Sequence, residues 1–256
     1  MDPSQVGLVL AAGLVAGILT STVGVASLVS FPVLLAVGLP PVVANTSNTI
    51  GMAPAGVSGS FGYRRELREH PGATRVVLVT SALGAVVGSA LLLGLPSRVF
   101  EVVVPWLILG TCLLVGAQPR LKAWARSRRS AQPGHDHPAS RMTVSTRLFA
   151  TLTGVYGGYF GAGSGVMMLA VLGLGTSLEF RILNALKTYA VMVANLVAAA
   201  VFVVIAPVDW PAVLALAAGS VVGGYVGSHL GRLLPEPVLR ALVVVAGIAA
   251  AVHLWS

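Results

Sequence analysis

Charge is what this sequence has least of: Asp, Glu, Lys and Arg together make up 9% of its 256 residues, against the roughly 25% of a soluble domain. A fold surrounded by water needs a polar surface that this composition cannot supply. Cysteine is nearly missing too, and the single Cys112 excludes an intramolecular disulfide and every Cys-based metal spacing. Acidic residues number 8 against 16 basic ones. None lies deep in an apolar run, Glu101 being close to a segment end, so proton coupling through a buried carboxylate has no support. The phosphate-binding loop G-x-x-x-x-G-K-S/T is absent, and no motif calls for a cofactor. Met1-Asp2-Pro3 lacks a basic n-region, so the first apolar stretch is expected to stay in the mature protein.

Apolar residues are what fill the chain, at 56%. No charged side chain separates Asp2 from Arg64, and those 61 residues amount to roughly 90 Å of helix, about three crossings of a ~30 Å hydrocarbon layer. Asn45-Thr46-Ser47-Asn48 and Gly38-Leu39-Pro40-Pro41 punctuate that stretch. Further runs at 76–97, 99–117, 188–206, 212–231 and 238–255 are each long enough for one helix. The net charge of +8 sits in short loops rather than on an aromatic-bearing face, which fits the positive-inside rule and not nucleic-acid binding. Arginine outnumbers lysine 14 to 2, a composition typical of high-GC bacterial genomes. These features predict an all-α, multi-pass integral protein of a bacterial cytoplasmic membrane, with 8–10 membrane segments.

The chain also repeats itself. A shift of 139 residues lays Ser81, Gly84, Val87, Gly88 and Ser89 on Ser220, Gly223, Val226, Gly227 and Ser228, and Leu95-Pro96 on Leu234-Pro235. At the same shift Asn45-x-x-Asn48 falls on Asn184-x-x-Lys187. Upstream, Gly13, Gly17 and Gly24 fall on Gly154, Gly158 and Gly165 at a shift of 141. The predicted organisation is a first membrane repeat at 1–117, a basic cytoplasmic linker at 118–147 and a second repeat at 148–256. Five crossings per half put 14 of the 16 basic residues inside, whereas four put 11 inside, so charge favours inverted repeats. Residues 148–178 span only ~46 Å as helix, short for two full crossings, which predicts short or broken segments there.

Two clusters invite a functional reading. Gly154-Val-Tyr-Gly157-Gly158-Tyr-Phe-Gly161-Ala-Gly163-Ser164-Gly165 holds six glycines in twelve positions. Such a run suits either a broken helix whose amides and positive dipole end bind an anion, or close packing through small-xxx-small spacing. In Asn184-Ala-Leu-Lys187 a lysine enters an apolar helix, where it either snorkels to the interface or faces a watery cavity. Its repeat mate is Asn48, so one cation is left without a counterpart between the halves, the right sign for an anion carrier. Asn45, Asn48, Asn184 and Asn195 can donate amide hydrogens to an oxyanion or bond across helices. Gly219, Gly223, Gly227 and Gly231 read as a packing ladder. His135 and His137 flank Asp136 in the linker and read as solvated residues, not a metal site. Gly56-Val57-Ser58-Gly59 matches the G-x-S-G pattern of rhomboid-type intramembrane proteases, with His229 and His253 as candidate partners. A membrane scaffold working through the basic linker is a third reading.

The duplicated layout, Gly38-Leu-Pro-Pro41, Phe160-Gly-Ala-Gly-Ser-Gly165, and Asn184-Ala-Leu-Lys187 followed by a helix with Asn195 together resemble the TauE/SafE sulfite exporter family, also called toluene-sulfonate uptake permeases. In the first half Ser21-Thr22-Val23 and Ser27 depart from the family's glycine-rich pattern. The resemblance implies secondary transport of sulfite, sulfonates or related small anions, with no enzymatic activity. The residues expected to contact the anion are Ser164, Gly165, Asn184 and Lys187, with Asn45, Asn48 and Asn195 in support. The expected partners are that anion and the lipid bilayer. Nothing in the sequence fixes an oligomeric state.

Overall fold

The computed structural model describes residues 1–22, 25–130, 142–230 and 236–255. The linker histidines His135 and His137 lie outside them, as do Gly24 and Gly231, and nothing is assigned to the side chains of Gly227, His229 and His253. Every regular element among the described residues is a helix. Before the linker run α1 (Pro3–Thr22), α2 (Ser27–Ala36), α3 (Pro41–Gly62), the short α4 (Arg64–Glu69), α5 (Pro71–Gly94) and α6 (Ser97–Ser130). After it run α7 (Val144–Tyr159), α8 (Ser164–Gly175), α9 (Phe180–Ile205), α10 (Trp210–Leu230) and α11 (Glu236–Trp255). The helix α6 runs on through positions 118–130, the first part of the basic segment.

α1, α5, α6 and α9 are long and apolar enough to cross a membrane. Their outward faces carry Leu8, Leu83, Trp106, Leu113 and Val204, all exposed, as a lipid solvent permits. α3 is long enough as well, yet it is the polar exception, and it is buried. Asn45, Thr46, Ser47, Asn48 and Thr49 lie inside the bundle, and each has a partner. Thr46 donates to Pro207 O at 2.7 Å, and Ser47 Oγ accepts from Asp209 N–H at 3.0 Å. Asn48 Oδ1 accepts from Ser30 Oγ at 2.5 Å, and Thr49 donates to Asn45 O. In hydrocarbon an unpaired polar group costs several kcal/mol, so a helix this polar has to sit at the centre.

α2 and α8 hold 10 and 12 residues, about 15 and 18 Å, too short to cross alone. Each folds back on the helix before it. Gln5 near the start of α1 donates to Val37 O just past α2, and Gly175 at the end of α8 lies against Thr146 at the start of α7. The first segment of each half is therefore a hairpin with its break at the far end.

Packing partners obey an exchange rule. α1 runs along α10 as α7 runs along α5, α3 meets α10 as α9 meets α5, and α2 meets α11 as α8 meets α6. α3 packs on α9 and α6 on α11. Two of these helix pairs are sealed by glycine: Gly13, Gly17, Gly219 and Gly223 between α1 and α10, and Gly154, Gly158, Gly84 and Gly88 between α7 and α5, with Gly13, Gly17 and Gly223 matching Gly154, Gly158 and Gly84 in the repeat. A Cβ on Gly158 would lie 2.6 Å from Ala85 Cα, and one on Gly17 2.7 Å from Gly224 N. Backbone touches backbone there, which is the packing that lipid, lacking a hydrophobic drive between helices, rewards.

Candidate functional site

The glycine-rich run answers to both of its readings, at different places. Gly154 and Gly158 form the packing seam, whereas Gly161 and Gly163 have φ of +81° and +74°, a left-handed backbone that breaks the helix between α7 and α8. A break inside the membrane exposes backbone carbonyls that water cannot reach. Here side chains take them up. Asn45 of α3 donates to Tyr159 O at 2.9 Å, and the Tyr156 hydroxyl donates to Ala162 O at 2.6 Å, with Thr111 Oγ1 of α6 2.7 Å from that hydroxyl. Phe160, 2% exposed, anchors the break edge-on against Phe31 at 5.3 Å.

Beside this break lies a cavity of ≈ 40 Å³; roughly 10–15 Å³ on that measure holds one water. Both interrupted segments reach it. Thr20, Val25, Ala26 and Ser27 come from the α1–α2 connection, Gly161, Gly163 and Ser164 from the α7–α8 break, Met52 and Gly56 from α3, and Lys187, Thr188, Val191 and Asn195 from α9. The first turns of α2 and α8 border it, so the positive ends of two helix dipoles do as well. Along α9, which is long enough to cross a membrane, Lys187 lies about 10 Å and Asn195 about 22 Å from the helix start. Lys187 is 7% exposed. It does not reach out as a snorkelling lysine would.

Of the seven residues expected to contact an anion, the structure brings Ser164, Lys187 and Asn195 together at this cavity. Gly165 is buried just behind Ser164 in the first turn of α8. Asn184 is a turn away, donating to the Tyr63 hydroxyl at 2.8 Å. Asn45 holds the break, and Asn48 is engaged by Ser30. Thr20, Thr188 and Met52 line the cavity without having stood out in the sequence, and Ser27 and Gly56, noted there for other reasons, line it too. The repeat carried the missing signal, since Thr20 pairs with Gly161, Met52 with Val191 and Gly56 with Asn195 at shifts of 141, 139 and 139. The G-x-S-G serine, Ser58, donates to Ala55 O of its own helix.

A helical bundle with a lipid-compatible exterior, a polar central helix and a polar cavity at membrane depth defines a multi-pass membrane transporter. The chain belongs to the sulfite exporter TauE/SafE family, whose model matches residues 9–254. It is 27% identical over 250 residues to a "Probable membrane transporter protein ORF9" of Sinorhizobium sp, covering 96% of this chain and 90% of that one. It is 27% identical over 240 residues to a "Probable membrane transporter protein" of Haemophilus influenzae, covering 91% and 88%. No solved structure matches it. The family places the protein in the cell membrane as a transporter and not an enzyme, and the rhomboid reading falls with that assignment.

Proposed function

We propose that the protein is a secondary carrier for a small oxyanion of the sulfite or sulfonate class, working without ATP. One observation carries this reading: among the described residues, the cavity is lined by one cation, Lys187, and by no carboxylate. A lysine at the wall of a buried cavity offers the charge that an anionic ligand needs. The two helix first turns and the Asn195 amide add donors suited to oxygen atoms rather than to an apolar solute. We take the two halves as inverted repeats, a reading supported by the exchange rule in their packing and by the two hairpins meeting at one cavity.

Purified protein reconstituted in proteoliposomes, assayed with sulfite, sulfate, methanesulfonate and chloride in turn, tests the reading. Wild-type protein is expected to carry sulfite or the sulfonate, and Lys187→Met to lose that flux while inserting normally. Wild-type flux in Lys187→Met removes the lysine from the mechanism, and no anion flux in the wild type removes the whole proposal.

A further inference from the structure

We infer that Tyr156, Thr111 and Asn45 are positioning residues for the anion, fixing the α7–α8 break so that Ser164 and the first amides of α8 face the cavity; this rests on the carrier reading above. None of the three lines the cavity. Their work is on the backbone that does. Tyr156 O–H donates to Ala162 O, and Thr111 Oγ1 stands 2.7 Å from the Tyr156 hydroxyl and 3.1 Å from the same carbonyl. Asn45 Nδ2 donates to Tyr159 O, the last residue of α7. Ala162 lies between the two glycines with positive φ and Tyr159 lies two residues before the first of them, so these bonds set the direction in which α8 departs.

Two of the three side chains come from the other half of the chain, Thr111 from α6 and Asn45 from α3. The repeat does not preserve the three side chains in this role. The counterpart of Tyr156 is Val15, that of Thr111 is Ala250, and that of Asn45 is Asn184, which bonds to Tyr63 instead. Neither Val15 nor Ala250 can donate a hydroxyl, so these two positions carry no counterpart of the Tyr156–Thr111 pair. The α7–α8 break is thus held by side chains that the repeat does not duplicate at the matching positions. A carrier whose break is pinned presents its amides pre-organised, and losing a pin weakens binding before it slows turnover.

The test compares Tyr156→Phe, Thr111→Val and Thr111→Ser with wild type and Lys187→Met, with sulfite as the transported probe in proteoliposomes. Tyr156→Phe and Thr111→Val are expected to raise KM for sulfite about 3- to 10-fold with maximal flux within about twofold, the size one buried hydrogen bond sets. Thr111→Ser, which keeps the hydroxyl, is expected to match wild type. Hydrogen exchange is expected to speed up in peptides covering 160–166 in the two deletion variants and nowhere else. Because Thr111→Val keeps the shape of the side chain, it decides the matter should Tyr156→Phe fail to fold. Loss of flux in Lys187→Met with unchanged KM in Thr111→Val overturns the positioning role alone. Absence of sulfite flux in the wild type overturns it together with the carrier reading.

Discussion

Ser81 and Ser220 occupy equivalent places in the two halves and have opposite fates. Ser220 Oγ donates to Gly51 O at 3.1 Å, tying α10 to α3, whereas Ser81 Oγ is buried with no partner beside a ≈ 10 Å³ void lined also by Thr153 and Ser164. An unmade bond in the interior is a cost, and removing the group removes the cost. Ser81→Ala is therefore expected to leave thermal stability in detergent unchanged or slightly raised, and Ser220→Ala to lower it by about 1 kcal/mol. Equal losses in melting experiments would mean that Ser81 has a partner after all. At this scale the sequence was legible where chemistry is unusual. Lys187 in an apolar helix and Ser164 in a glycine run both drew the eye and both reach the cavity. Thr20, Thr188 and Met52 did not, because such residues are ordinary in a membrane helix and only the fold gathers them. Asn184 misled for the converse reason. Three residues before Lys187 it shares that side of the helix, but one turn nearer the end it meets Tyr63 first.

Helices that touch through glycine cannot accept a side chain at the seam. Gly158→Val would drive a branched Cβ into the backbone of α5 near Ala85, and is expected to destabilise by about 3 kcal/mol or more. Gly110→Ala is the control, since nothing lies within 4 Å of a Cβ there, and helix propensity favours the alanine. A melting temperature for Gly158→Val equal to that of the control would refute the seam. A second element-scale feature is the bond between α4 and the start of α9. Arg181 reaches Glu66 at 3.1 Å and Glu69 at 2.9 Å, and Asn184 reaches Tyr63, all about 10 Å or less along α9 from Lys187. With Arg181 half exposed the ion pairs contribute only about 0–1 kcal/mol each, enough to bias a closed end without locking it. Arg181→Gln, made with Met52→Cys and Cys112→Ala, is expected to raise maleimide labelling of the cavity severalfold from the face carrying Arg64 to Arg75. High salt should do the same to the parent protein. Labelling unaffected by either change would show that this contact does not guard the cavity. In the sequence α4 looked like a charged loop, because its partner is over a hundred residues away.

The ion pair also bears on the topology of the whole molecule, where sequence left two options. Four crossings per half with the N-terminus inside would place Arg181 on the opposite face from Glu66 and Glu69, yet they are in contact, so an even number of passes separates them. α5 and α6 supply one pair of passes, and the α7–α8 hairpin leaves and returns to the same face. Arg98, in the first turn of α6 after its turn from α5, must then lie on the other face. This count supports the inverted arrangement proposed above, in which each half makes an odd number of passes. It predicts a definite labelling pattern for single cysteines in a Cys112→Ala background. Arg65→Cys and Glu179→Cys react only from the cytoplasmic side, and Ser4→Cys and Arg98→Cys only from outside. Finding positions 98 and 179 on the same side would exclude inverted repeats, and the exchange of packing partners would then describe a parallel duplication. The sequence could suggest this count but not close it, because hydropathy measures length and a hairpin of two half-length helices has the length of one long crossing. Only the contact between two distant polar segments fixes which face the chain has returned to.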